Sequence, residues 1–100
     1  MIKLEELSYN DKVVLTIEFD ENDKSVVLVD ENKNTVRLGT KGISLISDND
    51  ITISSGGNVN IDGLSIAINA QRSLTAKGVQ TAELSATGET TVKGALVMIN

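Results

Sequence analysis

Gly42-Ile43-Ser44-Leu45-Ile46-Ser47, Asp50-Ile51-Thr52-Ile53-Ser54 and Gly57-Asn58-Val59-Asn60-Ile61 repeat one phrase: a turn residue, an apolar side chain, a polar one, and a second apolar one. The phrase continues to the end of the chain as the pairs Ile43/Leu45, Ile51/Ile53, Val59/Ile61, Ile66/Ile68, Leu74/Ala76, Ala82/Leu84, Thr90/Val92 and Val97/Ile99, each seven or eight residues after the last. Side chains two apart share one face of an extended chain, so each pair marks a short strand and each interval a corner. A step this short and this constant marks a repeat architecture with one strand and one turn per unit. Gly56, Gly57, Gly63, Gly78, Gly88 and Gly94 fall between the pairs, where the corners are expected to need backbone conformations closed to other residues.

Toward the N-terminus the alternation persists but the turns lengthen. Val13, Leu15, Ile17 and Phe19 alternate with polar residues, Val26 and Leu28 follow Asp20-Glu21-Asn22-Asp23, and Val36 and Leu38 follow Asp30-Glu31-Asn32-Lys33-Asn34. Those intervening runs are rich in turn formers, so the segment reads as a meander of strands. The expected organisation is therefore residues 1–42 as N-terminal strands with long acidic turns, and residues 43–100 as an octad-repeat β-helix ending in a blunt tip. Helical spacing of apolar residues is absent from nearly every window.

The size of the inner side chains decides how such a coil is completed. A strand of about five residues turns only two or three side chains inward, and a solitary chain coiled through eight of them would enclose a very thin core. A repeat that cannot bury its apolar face alone buries it against copies of itself. The fold expected is all-β: an intertwined trimeric parallel-chain β-helix, or β-prism, with a looser N-terminal β meander. Its trimer core would be Ile43, Leu45, Ile51, Ile53, Val59, Ile61, Ile66, Ile68, Leu74, Leu84, Val92, Val97 and Ile99. Eight strands stacked across the axis at ~4.8 Å would make a rod of roughly 38 Å.

Composition narrows the function. Val, Ile and Leu supply thirty of the hundred residues and the aromatics only two, Tyr9 and Phe19. Pro, Cys, His and Trp are absent, which removes disulfides, thiolate and imidazole metal sites, cysteine nucleophiles and every histidine-dependent triad. We therefore expect no enzyme, no metal and no cofactor. The net charge of -5 and the lack of a basic stripe or stacking platform exclude a nucleic-acid partner. That charge lies wholly in the first fifty residues, with eleven acidic against six basic side chains, while the second half holds three of each. No apolar run approaches the roughly 18 to 20 residues that cross a bilayer, and Met1 to Leu7 lack the long apolar stretch of a signal peptide.

The octads, together with the ending Ala82-Glu83-Leu84-Ser85-Ala86-Thr87-Gly88-Glu89-Thr90-Thr91-Val92-Lys93-Gly94-Ala95-Leu96-Val97-Met98-Ile99-Asn100, closely resemble the C-terminal needle of valine-glycine repeat (Vgr) spike proteins. Those belong to type VI secretion and are relatives of the cell-puncturing spikes of contractile phage tails. The resemblance implies a homotrimeric membrane-piercing needle, made in the cytoplasm and driven outward or into a target cell when a sheath contracts. It also implies a PAAR-repeat protein on the blunt tip, transient contact with the target-cell membrane, and attachment to the tail tube through an upstream barrel and hub that these hundred residues do not contain. Some phage spikes close their own apex with closely spaced histidines around a metal, and this chain has none. A separate tip protein is accordingly expected on Val97, Met98, Ile99 and Asn100, by main-chain pairing and apolar contact.

Other motifs read as architecture. Asp20-Glu21-Asn22-Asp23 and Asp48-Asn49-Asp50 lack the ligand spacing and terminal bidentate Glu of a calcium loop and are taken as turns. Glu5 and Glu6 are adjacent strand residues on opposite faces, which rules them out as a glycosidase pair. Gly56-Gly57-Asn58 is followed by no Lys-Ser/Thr pair and no helix, so it is a corner and no phosphate cradle. The competing class of function is a binding module, either a trimeric adhesin fibre or a carbohydrate-binding β-solenoid, for which only Tyr9 and Phe19 offer an aromatic platform.

Overall fold

The computed structural model describes residues 2–100, and every ordered element in it is β. Five strands, β1 (Ile2–Tyr9), β2 (Lys12–Asp20), β3 (Ser25–Asp30), β4 (Thr35–Gly39) and β5 (Gly42–Ile46), form one antiparallel sheet in the order β1-β2-β3-β4-β5. The meander read from the alternation is therefore present, and it includes Ile43 and Leu45, which pair with Leu38 and Val36 as β5. The chain divides into two units, Met1–Val59 and Asn60–Asn100, and each is described by itself.

Each reversal has a local cause. Between β1 and β2 the turn residues Asn10 and Asp11 both take positive φ, 52° and 60°, the conformation of a two-residue type I′ hairpin, which Asn and Asp tolerate well. Between β2 and β3, Asp20 accepts a hydrogen bond from the Asn22 N–H at 3.1 Å. Asp23 Oδ1 accepts the Ser25 N–H at 3.2 Å and the Ser25 hydroxyl at 2.6 Å. Between β3 and β4 the Asp30 carboxylate accepts from the N–H groups of Asn32 and Asn34 and from Asn34 Nδ2, at 2.9, 2.8 and 3.0 Å. The acidic runs are thus turn scaffolds, each carboxylate standing in for a backbone acceptor. Thr40 and Lys41 join β4 to β5, and Gly42 follows at a φ of 125°, which a residue with a Cβ adopts only under strain.

β1 breaks the simple alternation. Its pairing to β2 shifts between Lys3 and Glu5, leaving Leu4 as the extra residue, and shifts back between Leu7 and Ser8, where Val14 of β2 is extra. The first bulge brings Lys3 and Glu6 onto one face, where Lys3 Nζ lies 2.8 Å from Glu6 Oε2.

The register sorts the sheet into two unlike faces. On one face, Ile2, Phe19, Val26, Leu38 and Ile43 form a row across all five strands, Glu5, Ile17, Leu28, Val36 and Leu45 form a second row beside it, and Leu7, Leu15 and Asp30 a third, so this largely apolar face carries the carboxylates of Glu5 and Asp30. On the other face lie Lys3, Glu18, Val27, Arg37 and Ser44, with Asp20, Ser25, Glu6, Thr16, Val29 and Thr35 around them. Burial is inverted relative to this chemistry. The buried side chains among the described residues are Val27 and Ser25, both on the mixed face, while the apolar face is half-buried at its centre and exposed at Ile2, Leu38, Ile43 and Leu45.

Candidate functional site

From residue 47 to residue 100 the chain forms no strand or helix, and bends fall at Asp48–Asn49, Gly56–Gly57, Leu64, Gln71–Arg72, Val79–Gln80, Thr87–Gly88 and Ala95–Leu96. The bends recur every seven or eight residues and fall between the apolar pairs, so the octad register is a property of the backbone as well as of the sequence. Two successive corners use the same device eight residues apart. Ser47 Oγ accepts the Asn49 N–H at 3.1 Å, and Ser55 Oγ accepts the Gly57 N–H at 3.0 Å.

The glycines of this segment differ from expectation. Gly42 is the glycine with positive φ, so the corners between Gly56 and Gly94 do not exploit the left-handed region. What they need at one point is closeness: a Cβ at Gly78 would overlap the Thr81 carbonyl, whereas one at Gly56 would meet nothing. The corner conformation is ordinary, and crowding by the next segment is what excludes a side chain at Gly78.

None of the stretches between bends pairs with another within the chain. Among the described residues, the backbone hydrogen bonds outside the sheet ladders join Asp30 with Asn34, Glu31 with Val14, and Lys33 with Asp30, all before residue 47. The N–H and C=O groups of residues 47–100 therefore have no backbone partner in a single chain, although extended backbone in a folded assembly pairs almost all of them.

The side chains follow the backbone. Ile51, Ile53, Val59, Ile61, Ile66, Ile68, Leu74, Leu84, Val92, Val97 and Ile99 are all exposed, as are Ile43 and Leu45 on β5. The single chain thus brings none of the expected core residues of the shaft into a core. At the C-terminus Val97 is 49% exposed while Met98 and Ile99 are 85% and 91% exposed, so the last turn ends in uncovered apolar side chains. Leu64, Val79 and Leu96 stand at bends and are also exposed. The pair pattern passed over them; Val79 is out of phase with both neighbouring pairs, whereas Leu64 continues the phase of Ile66 and Ile68.

Within the sheet, polar contacts concentrate where β4 faces the β2–β3 turn. Arg37 Nη1 donates to Ser25 Oγ at 2.6 Å and to Asp23 Oδ2 at 3.2 Å, with Asp20 Oδ2 at 3.9 Å. The hydroxyl of Ser25 and, to a lesser degree, the Arg37 charge hold the Asp23 carboxyl below the usual aspartate range. At Asp30 burial pushes the carboxyl up, but the Asn34 side chain and the N–H groups of Asn34 and Asn32 outweigh it and the net direction is down. These are fastenings between turn and strand. A shallow cleft of about 370 Å³ lies where the chain leaves β5, lined by Leu15, Leu28, Val36, Leu45 and Ile51 with Asp30 and Asp50 at its rim. Ser47 Oγ donates to Asn34 Oδ1 at 2.6 Å and ties this exit to the β3–β4 turn.

Scanned against models of known families the chain matches none, and no curated protein matches it. Among the described residues no group of carboxylates is placed to hold a metal, and no helix is long and apolar enough to cross a membrane.

Proposed function

We propose that the chain is the shaft of a rigid, trimeric, membrane-piercing spike in a contractile injection machine of the type VI secretion or phage-tail kind, an assembly without an active site. The observation that carries this reading is the state of residues 47–100: segments between bends at a constant seven- or eight-residue step, apolar on alternate residues, with neither a ladder nor a core inside one chain. Two further copies wound about a common axis would supply both. Each strand would pair with strands of the other two chains above and below, and the inner side chains would meet at the axis.

Area supports the same reading. The chain exposes 9819 Å², whereas a monomeric protein of this mass exposes about 5,500 Å². Obligate interfaces bury about 2,000 to 5,000 Å² summed over both partners, so an excess of about 4,300 Å² per chain leaves room for contact with two further copies. A single-chain solenoid, one of the competing architectures, would close its ladders between its own coils, and residues 47–100 close none.

In this assembly the exposed Val97, Met98 and Ile99, with Asn100, would be the docking surface for a separate tip protein of the PAAR-repeat kind, through main-chain pairing and apolar contact. Function would follow from narrowness and stiffness, because opening one strand breaks ladders to two other chains. Multi-angle light scattering at micromolar concentration tests the reading: a mass of three chains that survives detergent and heat supports it, and a clean monomer refutes it. Binding to glycans without trimer-dependent piercing would instead favour the adhesin.

A further inference from the structure

We infer that Asp62 is a site of spontaneous backbone modification, where the chain isomerises to isoaspartate through a succinimide closed with the nitrogen of Gly63. This goes beyond the piercing function and requires neither a partner nor a cofactor. Three observations carry it.

The first is the pairing of residue types. Of all the Asp and Asn residues in the chain, Asp62 is the one followed by glycine; the other aspartates precede Lys, Glu, Asn or Ile. Ring closure brings the backbone nitrogen of the next residue onto the side-chain carboxyl carbon, and a side chain on that residue obstructs the approach. Glycine carries none, and its backbone reaches conformations closed to other residues.

The second is the absence of restraint. In the meander, Asp23 Oδ1 accepts from the N–H and the hydroxyl of Ser25, and the Asp30 carboxylate accepts from Asn32 and Asn34. Among the described residues, no hydrogen bond or ion pair reaches the Asp62 carboxylate, and the Gly63 N–H has no backbone partner.

The third is room. Asp62 and Gly63 are exposed, and the bend at Leu64 that follows them carries a fully exposed side chain. A Cβ at Gly63 would come no closer than 3.5 Å to any other group, so nothing closes over the reacting atoms. The two residues lie between the pairs Val59/Ile61 and Ile66/Ile68, at a corner, and the connections of a repeat run over its surface.

The reaction balances without an oxidant or reductant. The Gly63 nitrogen attacks Asp62 Cγ and a C–N bond forms, while the carboxyl hydroxyl departs as water with the nitrogen's proton. Water then opens the ring. Attack at the side-chain carbonyl restores aspartate, and attack at the main-chain carbonyl of Asp62 leaves the peptide running through Cβ. The isomer keeps mass and charge but adds one carbon to the backbone, within one of the two seven-residue intervals of the octad series. The apolar pairs on either side of residue 62 then no longer keep their spacing.

The test incubates the full chain warm, at mildly acidic pH, in heavy-oxygen water, and then digests it. Each ring opening adds one labelled oxygen, and electron-transfer fragmentation locates the label and distinguishes the lengthened backbone. Label and isoaspartate should accumulate at Asp62 at least roughly tenfold faster than at Asp48 or Asp50, which are also exposed beyond the sheet but precede larger residues. Gly63→Ala should slow the reaction at Asp62 by roughly tenfold, and Asp62→Glu, which would have to close a larger ring, should remove the signal. Label at Asp62 that grows no faster than at Asp50 overturns the inference, as does a rate that Gly63→Ala leaves unchanged. The comparison of Asp62 with Asp50 is made within one wild-type chain, so it decides the matter whether or not either variant folds.

Discussion

Ile61 separates a lone chain from an intertwined one. Its side chain is 70% exposed in the single chain, on a segment with no ladder. If the chain worked alone, Ile61→Ala would be an exposed substitution worth no more than about 0.5 kcal/mol. If Ile61 lines a three-fold core, the area now uncovered is buried, and full burial of such a side chain is worth about 1.5–3 kcal/mol. Truncation adds a cavity, so about 2 kcal/mol per chain, the low end of the buried Ile→Ala range, is a fair expectation. Symmetry repeats the loss in every copy and brings it to about 6 kcal/mol per trimer. The shift in melting temperature is then on the order of ten degrees. The assay is a circular-dichroism melt at fixed protein concentration, since the stability of an obligate oligomer depends on it. Asn60→Ala is the control, one residue away and on the opposite side of the strand. A melting temperature for Ile61→Ala within a degree of wild type and of Asn60→Ala would refute the argument that this stripe is internal.

Ser25→Ala should destabilise the meander by about 1–3 kcal/mol in chemical unfolding, because it removes a fully buried hydroxyl that accepts from Arg37 and donates to Asp23, leaving both partners less well satisfied. Gly78→Ala should lower the melting temperature by several degrees through its overlap with the Thr81 carbonyl, while Gly56→Ala, which meets nothing, should leave it unchanged. Asp23 and Asp30 both have depressed folded-state pKa values, so the folded meander binds fewer protons than the unfolded chain around the ordinary aspartate value of about 4. Their stabilisation is complete above that value and is lost as pH falls through the depressed ones, a slope that Asp30→Asn should flatten in denaturant titrations between pH 5 and pH 2. Met98→Asp, at a tip residue outside the expected trimer core, should abolish capture of a PAAR-repeat protein by the trimer without changing its mass, and retained capture would move the docking site away from residues 97–100.

The strands that carry clean alternation, from Val13 to Phe19 and onward through Leu45, were legible because a period of two has no helical alternative and the runs of Asp and Asn between them can only be turns. β1 was harder to read, since the bulge at Leu4 shifts Leu7 out of phase with Ile2. The signal that remained was Asn10-Asp11, a pair suited to a tight hairpin. The burial of Val27 was hidden for a different reason. It sits on the charged face with Arg37 directly opposite it in the register, and it becomes the best-buried apolar side chain only through a strand pairing that alternation does not specify. The glycine corners were placed correctly and explained wrongly: spacing reveals where a chain must bend, while whether the bend needs positive φ or close approach depends on atoms several residues away, as at Gly78 and Thr81.

The distribution of charge bears on how such a shaft would be used. Beyond Asp50 only six side chains carry a formal charge, Asp62, Arg72, Lys77, Glu83, Glu89 and Lys93, and they cancel. A charge dragged into hydrocarbon costs about 2.5–3.5 kcal/mol on the insertion scale, so under the proposed function the sparsely charged residues after Asp50 would meet less resistance per unit length than the acidic first fifty. Length points the same way. Seven bends stacked at ~4.8 Å span roughly 34 Å, slightly more than the ~30 Å hydrocarbon core of a bilayer. In the proposed trimer the backbone polar groups inside that span would be paired between chains, as a bilayer requires of anything that crosses it.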